Sequence, residues 1–228
     1  DDDSIEHSNL QRQILYTHKD IGKYKAEAAV EQLQMLNPYI QYYAYKTRLT
    51  KDNALELFPD YDIIVDGTDN FPTRYLINDA AVLLGKPVVF RSIHKFDGQV
   101  SVFNFKNRPT YRCLYPTPPK INEVPNCSEI GVLVVLLGII GSLQANEVLK
   151  IILGLGRILS GQLLTFDALS LKQMLFFIEK NTSISITTLE NDYQAFCGIP
   201  KDIKEFSYQD YEEHPTSFNL LDVRTQTE

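Results

Sequence analysis

Residues 61–70 read YDIIVDGTDN, an apolar run that is followed directly by a polar cluster. The apolar half, 61–65, is typical of a buried strand in a parallel sheet. Ligands of open α/β sheets bind outside the carboxyl ends of such strands. The run 61–65 therefore predicts a parallel sheet, and the cluster 66–70 predicts a binding site at its edge.

Helices and strands alternate on both sides of this run. The spacing of apolar residues predicts helices at 20–36, 53–58 and 72–84, and strands at 40–47 and 86–90. Such alternation is typical of a doubly wound, Rossmann-like α/β sheet, and we expect this fold class.

The pattern changes after these strands. Residues 99–105 alternate like an antiparallel strand, with Asp97-Gly98 as the predicted turn before them. Residues 107–127 are proline-rich and predict a long loop, of a length that is usually functional or disordered. Strands are predicted at 161–167 and 172–179, so we expect an antiparallel C-terminal extension of the sheet.

The segment 130–143 reads IGVLVVLLGIIGSL and is strongly apolar. It is shorter than the roughly 20 residues that span a bilayer. Polar residues from Gln144 to Lys150 continue its helical pattern. We interpret 130–153 as a buried helix, in the core or at a subunit interface; a membrane span is the alternative.

Composition limits the function. A chain of 228 residues can bury one large core and part of a second domain. Its net charge of −7 argues against a nucleic-acid binder, which needs a basic face. Three cysteines predict no disulfide framework and favour the cytoplasm. We expect a first domain at 1–180, a linker at 181–204 and the start of a second domain at 205–228.

Candidate ligand-binding residues lie near the start of the chain. In nucleotide-binding sheets an acid after a strand, about twenty residues past a glycine-rich loop, binds ribose hydroxyls. Asp1 or Asp3 could be this acid, although the glycine-rich loop is not in this sequence. The alternative is a solvated acidic loop. Arg12 and Lys25 suit phosphate oxygens, or are ordinary surface cations. Asp69 suits Mg²⁺, or caps the helix that follows it.

Several motifs taken together closely resemble the MoeB/ThiF adenylyltransferases, relatives of the ubiquitin-activating enzymes. The resemblance runs from residue 1 to about 198, and its motifs are SNLQRQ, DGTDN, YRCLYP and GSLQANEVLK, with Gly22, Lys25 and Asp97-Gly98-Gln99 between them. The tail 218–228, FNLLDVRTQTE, resembles the start of a rhodanese domain. Against the family pattern we expect about sixty further residues before Asp1, including the glycine-rich loop.

The resemblance implies that the protein uses ATP and Mg²⁺. It implies that Asp1, with Asp3 beside it, binds the ribose, and that Asp69 binds Mg²⁺ and is essential. The remaining nucleotide-binding residues that it implies are Asn9, Arg12, Gln13, Lys25 and Asn70; the catalytic residues are Asp69, Arg12, Lys25 and Cys127. Without the expected preceding residues we expect the chain to be inactive.

The implied substrate is the C-terminal Gly-Gly carboxylate of a small ubiquitin-like sulfur carrier, of MoaD or ThiS type. That carboxylate attacks the α-phosphate of ATP in molybdopterin or thiamine synthesis. It is already ionised at pH 7, so we nominate no general base. The resemblance also implies a homodimer, with neither nucleic acid nor membrane as partner.

The cysteines have separate expectations. Many family members bind zinc through two CxxC pairs, but here Thr110 and Gln194 replace the first cysteine of each pair. Cys113 and Cys197 alone make a poor zinc site, so we expect no zinc and expect the two thiols to lie close together. Cys127 either forms a covalent intermediate with the carrier, as in some relatives, or is an unreactive loop cysteine.

Two other functions remain as alternatives. One is a non-catalytic module that binds a ubiquitin-like carrier or dimerises; the presence of Arg12, Lys25 and Asp69 argues against it. The other is a nucleotide-binding oxidoreductase, which ranks last because a dinucleotide enzyme has no use for those three residues together.

Overall fold

The computed structural model describes residues 1–119 and 131–199. Within them six helices occur in chain order. They are α1 Lys25–Leu36, α2 Lys51–Leu57, α3 Phe71–Leu83, α4 Tyr111–Leu114, α5 Val134–Leu153 and α6 Tyr193–Phe196. The strands are β1 Ile64–Val65, β2 Val88–His94, β3 Asp97–Phe103, β4 Gln162–Asp167 and β5 Gln173–Phe177. Single 3-10 turns lie at His7–Asn9, His18–Asp20, Phe58–Asp60 and Phe105–Asn107.

The five strands form one sheet in the order β1-β2-β3-β4-β5. Strands β1 and β2 are parallel, with Val65 opposite Val89. The other neighbouring pairs are antiparallel. The sheet therefore begins as a parallel α/β sheet and continues as an antiparallel extension, which confirms the predicted fold class.

Helices cover both faces of the sheet. Side chains alternate along each strand, so Phe90 and Phe103 enter one core while Ile93 and Val100 enter the other. The first core also contains residues of α2, α3, α4 and α6, and the second contains Leu136 and Ile140 of α5. This layering is that of a doubly wound sheet.

Helix α5 is buried on one side only. Leu136, Ile140, Gln144 and Glu147 face the protein, whereas a second stripe of apolar residues is exposed. The amide of Gln144 donates to the main-chain oxygens of Asp66 and Val89, each at 2.8 Å, and so joins the helix to the sheet. By length and composition alone α5 could also cross a membrane. The prediction of a buried helix therefore holds for one face.

The predicted turn at Asp97-Gly98 is wrong. The hairpin turns at Lys95-Phe96, where Lys95 has a φ of 52°, and His94 pairs with Asp97. Gly98 lies inside β3 and packs against α5. A Cβ atom added to Gly98 would come within 2.2 Å of Ile140 Cδ1. Glycine is therefore required here by close packing and not by a turn.

The predicted strand at 40–47 is also wrong. This segment has no regular secondary structure, and Tyr43 is 66% exposed. Its alternation of tyrosines suits a half-buried surface, but no strand of the described residues pairs with it. The neighbouring strand is shorter than predicted, since β1 holds only two residues and Val65 is half exposed.

Two segments that were predicted to be irregular contain helices. Helix α4 lies in the described part of the predicted loop 107–127. Helix α6 lies in the described part of the predicted linker 181–204, where Tyr193 and Cys197 are buried in the first core. The predicted second domain, 205–228, lies outside the described residues.

Candidate active site

A cavity of about 340 Å³ opens beyond the carboxyl ends of β1 and β2. The N-terminal segment, the start of α1, the loop after β1, the end of β2 and the start of α5 line it. The charged residues among its lining are Arg12, Lys25, Asp69, Arg74 and Arg91. The structure thus brings together four of the predicted residues, Arg12, Gln13, Lys25 and Asp69, from three separate parts of the sequence.

Main-chain and carboxylate hydrogen bonds hold the N-terminal segment over the cavity. Ile5 N donates to Lys23 O and Gly22 N donates to Ile5 O, both at 2.8 Å, and Ile5 is fully buried. The buried Asp20 carboxylate accepts from the amide and hydroxyl of Thr17, which lowers the pKa of Asp20. These bonds fix the turn that carries Arg12 and Gln13.

Lys25 is the first residue of α1, so the helix starts five residues later than the predicted residue 20 but keeps Lys25 near its N-terminus. Its ammonium lies 2.9 Å from a carboxylate oxygen of Asp3. The guanidinium of Arg12 donates to Ser8 O at 3.0 Å and has no ion pair among the described residues. Both cations lie where the partly positive N-terminus of a helix also favours anions.

The acidic residues of the loop after β1 have different roles. Asp66 is buried and accepts from the amide and hydroxyl of Thr68 at 2.8 and 2.7 Å, and burial raises its pKa. Asn70 caps α3 by accepting from Thr73 N at 3.0 Å. Asp69 therefore is not the cap. Its exposed carboxylate has no partner among the described residues and is available to a ligand.

Two arginines of the cavity were not predicted. Arg74, on the first turn of α3, donates to Thr68 O at 3.0 Å, and Arg91, in the middle of β2, donates to Gly67 O at 3.1 Å. Burial lowers the pKa of Arg91. Each donates to a neutral carbonyl, and neither has an ion pair in the described part of the chain.

Two buried polar atoms of this cavity lack a hydrogen-bond partner within the described residues. They are the side-chain oxygen of Gln13 and Nε of Arg74. Buried polar atoms are normally paired, so such orphans indicate a bound ligand or water. The cavity thus offers four cations, one uncommitted carboxylate and unused hydrogen-bonding capacity, which suits a polyanion that carries a divalent cation.

The other predicted residues do not line this cavity. The main-chain nitrogen of Asp1 lies 3.1 Å from Tyr45 O, and Asp1 Oδ1 accepts from the Asp3 amide. Asn9 is buried, and its side-chain oxygen accepts from Glu6 N at 3.1 Å, which closes the first 3-10 turn. Cys127 lies outside the described residues.

A larger cavity of about 850 Å³ adjoins the first, and Asp69, Arg74 and Ile93 line both. Most of its walls are apolar or aromatic, from α3, β2, α4 and β5; they include Phe71, Phe90, Tyr111, Tyr115, Met174 and Phe176. A charged cavity therefore connects with an apolar one at the pair Asp69 and Arg74.

The two described cysteines belong to the first core. Cys197 is buried, which raises the pKa of its thiol to about 11. Cys113 is partly buried against the same cluster, and its sulfur accepts from the amide of Thr110 at 3.4 Å. Both are free thiols. Gln194 stands at the other position where a cysteine of the CxxC pattern is replaced, and its main-chain amide donates to Asp192 Oδ1 at 2.9 Å.

A family comparison accounts for this arrangement. The family model described as "ThiF family" matches residues 1–185. The chain belongs to the ThiF family. The family was identified from the motifs of the N-terminal segment, the loop after β1, α4 and α5, and three of these contribute to the two cavities.

The chain is 49% identical to the sulfur carrier protein adenylyltransferase of Thermus thermophilus over 208 residues, which cover 86% of this chain and 77% of that protein. It is 40% identical to a probable adenylyltransferase/sulfurtransferase MoeZ of Mycobacterium tuberculosis, covering all of this chain and 62% of that protein. For the adenylyltransferase and sulfurtransferase MOCS3 of Xenopus laevis the identity is 44%, over 87% of this chain. The chain spans 46% of the MOCS3 protein.

Solved structures share the fold at low sequence identity. A crystal structure of E. coli MccB with ATP superposes with a TM-score of 0.70 at 19% identity, over 81% of this chain and 57% of that one. This likeness shows the Rossmann-like fold of the chain.

Proposed function

We propose that this protein adenylylates the C-terminal carboxylate of a ubiquitin-like sulfur carrier. The main support is the cavity in which Arg12, Lys25, Arg74 and Arg91 gather around the uncommitted carboxylate of Asp69. A nucleoside triphosphate with a divalent cation has the complementary charge. The names of the relatives, which are carrier adenylyltransferases, agree with this chemistry.

In this proposal Arg12, Lys25 and Arg91 hold the triphosphate, and Arg74 lies where this cavity meets the larger one. Arginine presents a planar fork to phosphate oxygens and lysine a mobile point charge. Asp69 would hold Mg²⁺, which supplies charge neutralisation at the phosphates when bound. Asp1 is the proposed ribose ligand, whereas Asp3 pairs with Lys25 and so orients that ammonium. Gln13 offers its unpaired side-chain oxygen to the nucleotide.

The larger cavity is the proposed site for the carrier's C-terminal tail. Its apolar walls suit an extended peptide, and its junction with the charged cavity brings a terminal carboxylate towards the nucleotide. A carboxylate oxygen attacks the α-phosphorus, and the bond from that phosphorus to the bridging oxygen breaks. The products are carrier acyl-adenylate and pyrophosphate. Positioning and positive charge suffice, since the attacking carboxylate is already ionised.

The test is carrier-dependent exchange of pyrophosphate into ATP, measured on the full-length protein. Asp69→Ala is expected to reduce exchange about a hundredfold or more, because the carboxylate that would hold Mg²⁺ at the phosphates is lost. Asp62→Ala is the matched control, since Asp62 is also exposed but lines neither cavity. Absence of exchange with both MoaD-type and ThiS-type carriers would favour the non-catalytic binding module.

The exposed stripe of α5 is the proposed homodimer interface. It contains Val135, Ile139, Leu149, Ile152 and Leu153, each more than a third exposed. A second copy that covers this stripe would bury apolar surface, which is favourable. Ile139→Asp should convert a dimer to a monomer in light scattering, whereas Leu169→Asp, an exposed leucine away from α5, should not.

Other features remain proposals. We propose a cytoplasmic protein without bound zinc, in which residues 205–228 begin a rhodanese-like domain; the MoeZ match, whose name includes a sulfurtransferase, extends over them. Whether Cys127 is covalently involved is tested by trapping a carrier thioester or acyl disulfide in the protein and in Cys127→Ala. The pathway is tested by loss of growth under only one of the two cofactor requirements.

A further inference from the structure

Arg74 differs from the other cations because it lines both cavities. Arg12, Lys25 and Arg91 line only the smaller one. Among the described residues, Arg74 is also the sole arginine or lysine on the wall of the larger cavity. For an anion in the larger cavity, this guanidinium is therefore the arginine or lysine side chain that can pair with it.

The guanidinium of Arg74 is held by neutral contacts. One terminal nitrogen donates to Thr68 O at 3.0 Å, and the group lies 5.5 Å from the ring centre of Phe90 and 5.9 Å from that of Phe71. Its Nε is buried and has no partner among the described residues. The side chain is thus oriented, yet part of its donor capacity is unused.

The charges at the junction constrain an incoming carboxylate. Asp69 lies on the same junction and repels an anion, and the aromatic walls offer it no compensation. A carboxylate that leaves water requires a charged partner. Arg74 is the group that can provide one at this point.

We propose that Arg74 binds the terminal carboxylate of the carrier and positions it for attack on the nucleotide in the neighbouring cavity. This inference rests on the proposed adenylyl transfer and assigns one residue to the recognition of the acceptor rather than of ATP. Arg91, which lines only the smaller cavity, then serves the nucleotide alone.

The experiment compares two forms of one carrier, with a free C-terminal carboxylate and with a C-terminal amide. Their dissociation constants are measured without ATP, by titration calorimetry on the full-length protein. We expect wild type to bind the carboxylate form about tenfold more tightly, as for a charge-assisted hydrogen bond. Arg74→Gln should remove this preference, Arg74→Lys should retain part of it, and Arg91→Gln should leave it unchanged.

A change of fold would be recognised separately. Thermal unfolding and ATP binding of each variant show whether its nucleotide cavity is intact, and Arg74→Lys retains the charge if Arg74→Gln does not fold. In steady state, Arg74→Gln should raise the carrier KM by about tenfold, Arg74→Lys should raise it by less, and both should change the ATP KM far less.

The outcomes separate the two claims. If wild type exchanges pyrophosphate but binds both carrier forms equally, or if Arg74→Gln and Arg74→Lys keep the full preference, the role of Arg74 is refuted while adenylyl transfer stands. If wild type shows no carrier-dependent exchange, the proposed function fails, and the role of Arg74 fails with it.

Discussion

Arg112 on α4 differs in its counter-charges from Arg74 on α3 and Arg91 on β2. Arg112 donates to both oxygens of Asp79, at 2.8 and 2.6 Å, and to Glu190 at 3.1 Å. Arg74 and Arg91 instead donate to main-chain carbonyls and have no ion pair among the described residues. Arg112 is neutralised by a direct ion pair, whereas Arg74 and Arg91 interact with the nearby charge of Asp66 without one.

The surroundings of Arg112 suit a structural role. Tyr193 donates to Asp79 at 2.8 Å, and the guanidinium of Arg112 lies over the rings of Tyr75 and Phe196. The network thereby joins α3, α4 and α6. It lies where the two incomplete cysteine pairs occur, so buried polar contacts connect the segments that contain Cys113 and Cys197.

The comparison teaches how to separate structural cations from ligand-binding ones. A buried charge costs free energy unless it is paired, so cations such as Arg74 and Arg91, which have no ion pair of their own among the described residues, gain from an anionic ligand. Folding therefore favours a paired cation, as at Arg112, whereas binding of an anion favours unpaired cations, as at Arg74 and Arg91. Removal of a cation should destabilise the fold at Arg112 but weaken only ligand binding at Arg91.

The largest effect is expected for Arg112→Met. It leaves Asp79 buried without its counter-charge, and we expect the free energy of unfolding to fall by about 3–5 kcal/mol. Chemical denaturation followed by circular dichroism measures it. The double variant Arg112→Met with Asp79→Leu should recover part of the loss. If the single variant is as stable as wild type, Arg112 is not a structural cation.

Arg91→Met should behave in the opposite way. The free energy of unfolding should stay within about 1 kcal/mol of wild type, because no ion pair is broken. The dissociation constant for ATP should rise about tenfold or more, through loss of a charged phosphate contact. Titration calorimetry and denaturation test both parts. Destabilisation as large as that of Arg112→Met would contradict the comparison.

Asn70→Ala should have a moderate effect next to the charged cavity. Loss of the cap of α3 should lower the free energy of unfolding by about 1 kcal/mol. Asn70→Asp is the matched control, since aspartate caps equally well, and it should remain within a few tenths of wild type. If both variants lose the same stability, the side-chain NH2 group of Asn70 is required, and its capping oxygen alone is not sufficient.

The smallest effect concerns pH and Asp66. Burial raises its pKa in the folded protein above the ordinary value of 3.8, so ionisation of this group opposes folding. Its contribution to stability is present below pH 3.8 and is lost as pH rises through the folded-state pKa. Asp66→Asn keeps an acceptor for Thr68 and should gain stability relative to wild type as pH rises from 3.8. A difference that is constant with pH would contradict this.

The sequence predicted the parts of the site that lie in continuous motifs. Arg12, Lys25 and Asp69 were identified because each follows a recognisable turn, helix start or strand end. Arg74 and Arg91 were missed, since a single arginine on a helix or strand resembles a surface cation until the fold places it. The available signal was position: Arg74 lies on the first turn of α3, and Arg91 lies two residues past the part of β2 that pairs with β1.

The fold was predicted where local pattern and tertiary packing agree. Helices α1 and α3 and the antiparallel strands were found from their periodicity. The predicted strand at 40–47 does not form, because no strand among the described residues pairs with it. Gly98 was wrongly assigned to a turn, because the contact that requires glycine there is with Ile140, which is distant in sequence. Such choices depend on long-range contacts, which a local pattern does not contain.

The most direct test of the central claim is the intact mass of a carrier that ends in Gly-Gly, after incubation with the full-length protein, ATP and Mg²⁺. The account predicts that the carrier gains one adenylyl group at its C-terminal residue, with release of one pyrophosphate, only when ATP is present. A carrier of unchanged mass, in a reaction where the protein demonstrably binds both ATP and carrier, would contradict it.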